Sequence, residues 1–287
     1  MAALSLVFLG WVASGCRTAP PPPPIPPAIQ DAHRLAQQAA KLQEAGQWTA
    51  ASAWWERAAR QFQLLNDRTN LAVALHNQGT CRQALGQSKD AASLLEAAAR
   101  LNLELSLTEA WWRNQLALVQ LEGATNPERA QSRIHDLTAQ NPGPADASSR
   151  ALLSHESARA DLRAGQAEAA LGELEAASKA FQEANDPLGQ AAAAVTRAQA
   201  LERLKKFDEA EAAWRSALAM FEAHGQLRGI ATALAGWGSC LSIQGRNPAE
   251  AASLLSRAAD NFEALGMRDE ARRARATLEK LPGSAPR

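Results

Sequence analysis

Residues 207–221 read FDEAEAAWRSALAMF, in which small Ala210 and Ala217 lie seven apart with Trp214 between them, so all three share one side of a helix. Two alanines permit close approach of a neighbour, and the indole fills the gap between them. Asp208, Glu209 and Glu211 read as ordinary solvated charges on the other faces. The same small, bulky, small frame returns at Ala51, Trp55, Ala58, then Ala91, Leu95, Ala98, then Ala130, Ile134, Leu137. It continues at Ala170, Leu174, Ala177 and ends at Ala251, Leu255, Ala258. The last positions of the six frames, 58, 98, 137, 177, 217 and 258, are 40, 39, 40, 40 and 41 residues apart, a regularity that an alanine-rich composition does not produce by chance. A further helix precedes each frame, with its own small residue where the two must touch: Ala39, Gly79, Ala158, Ala198 and Gly238, and Leu118 in the third unit. Enlarging such a joint, as in Ala217→Leu or Ala98→Leu, is expected to overpack it at a cost of about 1–3 kcal/mol.

In residues as well as period, this pattern resembles the tetratricopeptide repeat (TPR), over roughly residues 31–280. The family's glycine between paired helices stands here as Gly46, Gly86, Gly165 and Gly245, and its aromatic after that turn as Trp48 and Phe207. The resemblance implies an all-α solenoid, a right-handed superhelix of about six helical hairpins. With a C-terminal capping helix over residues 267–280, thirteen helices are expected. The units are about six residues longer than the family's, which reads as a longer second helix ending near QLLND, QEAND or EAHGQ. Unit three departs most: it has no turn glycine and carries large Leu118 and Leu137. Asn126-Pro127, Asp186-Pro187 and Asn247-Pro248 pair an N-cap with a first-turn proline, and Glu250 completes a capping-box spacing.

Ahead of the repeats, residues 2–15 carry no charge, and Val12, Ala13, Ser14, Gly15, Cys16 resembles the processing site of bacterial lipoproteins. Residues 1–15 are then a signal peptide and Cys16 the lipidated first residue; a buried N-terminal helix is the alternative. The run is too short to span a bilayer. It also lacks the usual Lys or Arg before the apolar stretch. The resemblance places the chain in the cell envelope, and Arg17 in place of an aspartate points to the outer membrane facing the periplasm. Seven prolines between positions 20 and 27 cannot form helix, so residues 16–30 read as a spacer, of which residues 17–28, extended, would hold the body roughly 35 Å from the membrane at ~3.1 Å per residue. A docking ligand for an aromatic groove is the other reading of that run. Residues 281–287 are expected to be a disordered tail.

Thirty basic residues balance thirty acidic ones, with no basic stripe for nucleic acid. Cys81 and Cys240 sit at equivalent places four units apart, too far to bridge. The histidines at 33, 76, 135, 155 and 224 show no metal spacing, and no phosphate-cradling loop, nucleophile elbow or HExxH helix is present. No catalytic residue, metal or cofactor is therefore assigned. Of the tryptophan pairs, Trp55 takes the core position, while Trp54 and one of Trp111 and Trp112 are left to pack on a second helix or to line a groove.

The TPR resemblance further implies that the inner surface is formed by each unit's first helix, which carries His76, Asn77, Thr80, Gln115, His155, Arg159, Arg163, Gln199, Glu202 and Arg203. Arg159, Arg163 and Arg203 either bind an acidic peptide through forked guanidinium contacts or pair with Glu156 and Glu202 on their own helices. The expected function is a membrane-tethered scaffold for a protein or peptide partner, serving an envelope assembly such as a secretion, pilus or outer-membrane biogenesis machine. A binding module for a small glycan or peptide is the alternative.

Overall fold

The computed structural model describes residues 26–281. Cys16, the uncharged run before it, prolines 20–24 and residues 282–287 lie outside the described residues. Thirteen helices and no strand occupy the described part. They pair into units: α1 (Pro27–Glu44) with α2 (Trp48–Leu64), α3 (Arg68–Ala84) with α4 (Ser88–Glu104), and α5 (Thr108–Thr125) with α6 (Pro127–Thr138). Then come α7 (Ala147–Arg163) with α8 (Ala167–Glu183), α9 (Pro187–Arg203) with α10 (Phe207–Ala223), α11 (Leu227–Gln244) with α12 (Pro248–Ala264), and a final α13 (Arg268–Leu278).

Helix length is set by a stop signal that recurs every twenty or so residues. At ten of the twelve junctions one residue turns left-handed: Gly46, Asn66, Gly86, Ser106, Gly165, Asn185, Lys205, Gly225, Gly245 and Gly266. The amide after it then bonds back to a carbonyl five residues earlier, as in Gln47 N–H to Leu42 O at 2.9 Å and Asp186 N–H to Phe181 O at 2.9 Å. This closure satisfies carbonyls that the last helical turn leaves open. The same device ends first and second helices, so a 40-residue unit consists of two like halves. The extra residues therefore do not lengthen the second helix alone: first helices run 17 or 18 residues and second helices 17, apart from α6.

The two helices of a hairpin meet through the small positions. Every alanine of the repeated frame, Ala51, Ala58, Ala91, Ala98, Ala130, Ala170, Ala177, Ala210, Ala217, Ala251 and Ala258, is fully buried, with Ala39, Ala158 and Ala198 from the first helices. A Cβ at Gly79 would stand 3.0 Å from Leu95 Cγ, and one at Gly238 would stand 2.8 Å from Leu255 Cγ. From α3 onward the first helices α3, α5, α7, α9, α11 and α13 also touch one another in series, while the second helices make no comparable contact among themselves. The closer-packed row must be the inside of the curve. The core is thus a strip running along the stack, split into several clusters.

Four details differ from the sequence reading. Pro27 is helical: it takes the first position of α1, where the missing amide is no loss. Leu281, assigned to the tail, is buried in the last cluster. Asn247 stands at the N-cap position of α12 but makes no side-chain capping bond; at φ 46° it donates its side-chain amide to Glu250 Oε2 at 3.2 Å, whereas Asn126 and Asp186 do cap with their side chains, joined by Asp67 and Asp146. Unit three is distorted: α6 has only 12 residues, and residues 139–146 link it to α7 through a cis Asn141-Pro142 bond. Leu118 and Leu137 are buried where other units have small residues, and α6 packs more sparsely on its neighbours than any other helix. An ion-pair knot adds to the apolar contacts of Ile134 and Leu137 with Trp112, Val119 and Ala160. Buried Glu122 accepts from Arg133 Nε and Nη2, each at 2.8 Å, and forms an ion pair with Arg129 Nε at 2.8 Å, while Arg129 also reaches Glu96 at 2.8 Å.

Candidate functional site

The ten first-helix residues singled out from the sequence do lie on one row, but most of their polar atoms are already engaged. Asn77 Nδ2 donates to Val73 O at 3.1 Å, and Thr80 Oγ1 donates to Asn77 O at 2.8 Å. His76 is half-buried with Nδ1 sealed from solvent and unpartnered; burial, then the nearby Arg113, pushes its pKa down. Gln115 accepts from Arg133 Nη1 at 2.7 Å. His155 is buried, its Nε2 2.9 Å from Thr196 Oγ1 and its ring edge-on to Phe181 at 6.0 Å. Burial first, and the Arg159 charge second, lower its pKa to about 4.

The three arginines act as struts. Arg159 binds both oxygens of buried Glu156, at 2.9 and 3.0 Å. Arg203 donates across to the carbonyl of Leu162, tying the end of α9 to the end of α7. Arg163 lies over Gly123 of α5, its Nη2 3.4 Å from where a Cβ would sit. Glu202 does not pair with Arg203: it accepts the indole N–H of Trp214 at 2.8 Å and lies beside Cys240, and burial raises its pKa. The corresponding place in unit one holds Gln43, which accepts from Trp55 Nε1 at 2.8 Å and from Cys81 Sγ at 3.5 Å. Wherever the bulky frame position is tryptophan, an acceptor stands twelve residues earlier. Both cysteines are free and buried, and burial first, then the Glu202 charge, raises the Cys240 thiol to about 11. What the row leaves open is Gln199, the exposed faces of Arg163 and Arg203, and two exposed apolar residues, Val73 and Ile243, one turn from Asn77 and one unit on from Arg203.

Sequence reasoning missed a second concavity. A groove of about 680 Å³ runs between α8 and α10 with α9 as its floor, bordered by Leu171, Gly172, Glu175, Lys179, Arg197 and Met220 among others. At about 100° per residue, its α9 members Gln190, Ala194, Arg197 and Leu201 face away from Gln199 and Arg203. It therefore opens on the outer side of the stack. Trp54, with Arg57 5.2 Å over its ring, and Trp111, edge-on to buried Trp112 at 5.1 Å, both pack on core clusters. Among the described residues, no three His, Cys, Asp or Glu side chains are grouped to hold a metal ion, and no helix is long and apolar enough to cross a membrane.

No family model matches the sequence, and no curated protein matches it. Solved structures do. The apo form of the quorum sensor NprR from B. thuringiensis has 10% identity and a TM-score of 0.64, covering 88% of this chain and 76% of its own. A Rap protein complexed with competence and sporulation factor has 13% identity and a TM-score of 0.63, covering 88% and 74%, and the apo form of RapI has 12% and 0.61, covering 87% and 99%. At such identities the likeness is one of fold: a TPR-like solenoid of helical hairpins.

Proposed function

We propose that this chain is a protein-interaction scaffold, carried on a membrane of a bacterial envelope by a lipid on Cys16, and that a protein or peptide partner lies along its inner row. The observation that carries the reading is the row itself. Four of the first helices, α3, α7, α9 and α11, present Val73, Asn77, Arg163, Gln199, Arg203 and Ile243 along one side of the stack, apolar at the two ends and cationic in the middle. An elongated ligand can be read unit by unit along such a surface. Arg203 is tied to the Leu162 carbonyl of the neighbouring unit before any ligand arrives, which lowers the ordering cost of binding there. The Rap structure is of a complex with competence and sporulation factor, so a solenoid of this shape does hold a ligand in at least one other protein. The anchor rests on residues 12–16 alone.

The test is photo-crosslinking in the native cell with a reactive side chain at Asn77 or Gln199. A discrete, stoichiometric protein adduct is expected from both; adducts from neither, together with a thermal shift by glycan fragments, would replace the scaffold with a small-ligand module. Labelled palmitate should be incorporated by the parent chain and not by Cys16→Ser. Incorporation by both would remove the anchor.

A further inference from the structure

We infer that the partner segment on the inner row is acidic and extended, with one carboxylate against Arg163, a second three residues on against Arg203, and an apolar side chain three residues further against Ile243. The inference rests on the scaffold reading and names the chemistry of its partner.

The repeat itself lines these residues up. One place in the last turn of the six first helices holds Glu44, Ala84, Gly123, Arg163, Arg203 and Ile243, successive members standing 39 or 40 positions apart. Both arginines lean back over the preceding unit. Arg163 Nη2 lies 3.4 Å from where a Cβ on Gly123 would sit, and Arg203 donates to the Leu162 carbonyl. That carbonyl takes one of the five guanidinium N–H groups and cancels none of the charge. Among the described residues neither arginine has a carboxylate within 4.0 Å. Glu156, the acid beside them, is bound through both oxygens by Arg159, and Glu202 turns away to the Trp214 indole. Three guanidiniums thus share one carboxylate. Burial first, and the Arg159 charge second, lower the Arg163 pKa against a smaller opposing pull from Glu156. A cation cluster of this kind is short of an anion. Ile243, next in line, is 67% exposed.

Spacing selects the form of the ligand. First helices in contact lie about 8–10 Å apart. A polyproline II segment returns to the same face every third residue after ~9.3 Å, so each of its turns meets one unit, and its backbone stays solvated in an open row. A helix rises only ~1.5 Å per residue and takes about six residues per unit, which do not return to one face. A small anion satisfies either arginine but cannot reach on to Ile243.

The probe is a fluorescent peptide of about ten residues, with two glutamates three apart, a leucine three beyond each, and proline or serine elsewhere. Either chain direction then brings a leucine to Ile243. A second peptide has lysines for the glutamates. On the full-length, detergent-solubilised chain the glutamate peptide should bind at least ~10-fold tighter than the lysine peptide, with the gap narrowing in ~0.5 M salt. Arg163→Gln, which has no hydrogen bond or ion pair to lose, should weaken it about 5–10-fold at unchanged melting temperature. Arg163→Glu with Arg203→Glu should reverse the preference, and Ile243→Ser should weaken glutamate-peptide binding about 3–10-fold with its salt dependence kept. No binding, equal binding of the two peptides, full binding by Arg163→Gln, or displacement by inorganic phosphate at equal concentration would each overturn the acidic partner. Native crosslinks from Asn77 and Gln199 alongside any of these would leave the scaffold standing without it.

Discussion

Glu202 and Gln43 occupy one place in two units, and the comparison isolates what a buried charge does there. Burial raises the Glu202 pKa, so the folded chain holds that proton more tightly than the unfolded chain does. Stability therefore falls as pH rises from the ordinary carboxyl range through the raised value, and the deficit persists at neutral pH. Glu202→Gln, copying unit one, is expected to add on the order of 1 kcal/mol at pH 7, a rise of about 2–4 °C in melting temperature, with the gain vanishing below pH 4. His155 runs the other way. Its pKa is lowered from 6.5 to about 4, so the unfolded chain takes up the proton first. Roughly 3 kcal/mol of stability present at neutral pH is then lost as pH falls from 6.5 through 4, and denaturant titrations of His155→Gln should show a flatter pH dependence over that window. The frame alanines were legible because a methyl leaves few alternatives to close packing. The roles of Glu202 and Arg203 were not, because a helix face says nothing of which neighbouring unit supplies the partner.

Among the elements, the turns carry the clearest test. Lys205 adopts φ 59° where equivalent turns use glycine, and a side chain there costs about 1–2 kcal/mol. Lys205→Gly should raise the melting temperature by about 2–4 °C, and Gly165→Ala, at φ 81°, should lower it by a like amount. The turn glycines were visible in the sequence, but the common 20-residue cadence was hidden, since serine, asparagine and lysine fill the left-handed place at other junctions. Unit three was visible only as a misfit. Its replacement for small-residue packing, Glu122 between two arginines, depends on α6 arriving from a proline-started helix that the repeat frame does not describe. Arg133→Ala should cost about 3 kcal/mol, because a carboxylate sealed from water loses its main partner, and amide exchange should speed up first in α6.

Taken whole, the molecule is a strip with one thin place. Separate apolar clusters cover α1 to α3, α4 to α5 and α7 to α13, and α6 joins its neighbours through a small apolar cluster and the Glu122 ion pairs. Stability in such a chain is a sum of units and joints, so the Arg133→Ala variant should unfold in two steps by circular dichroism where the parent unfolds in one. The architecture was legible because it repeats; the outer groove was not, because its lining is shared by three helices of two successive units. The recurring stop signal also bears on how the chain came to its present length. Ten junctions end alike, so a stretch of gene excised at one and rejoined at its counterpart forty codons away meets compatible ends. Whole hairpins are thus gained or shed by recombination without any bend being reinvented, and the irregular third unit is the place where that copying would leave a scar.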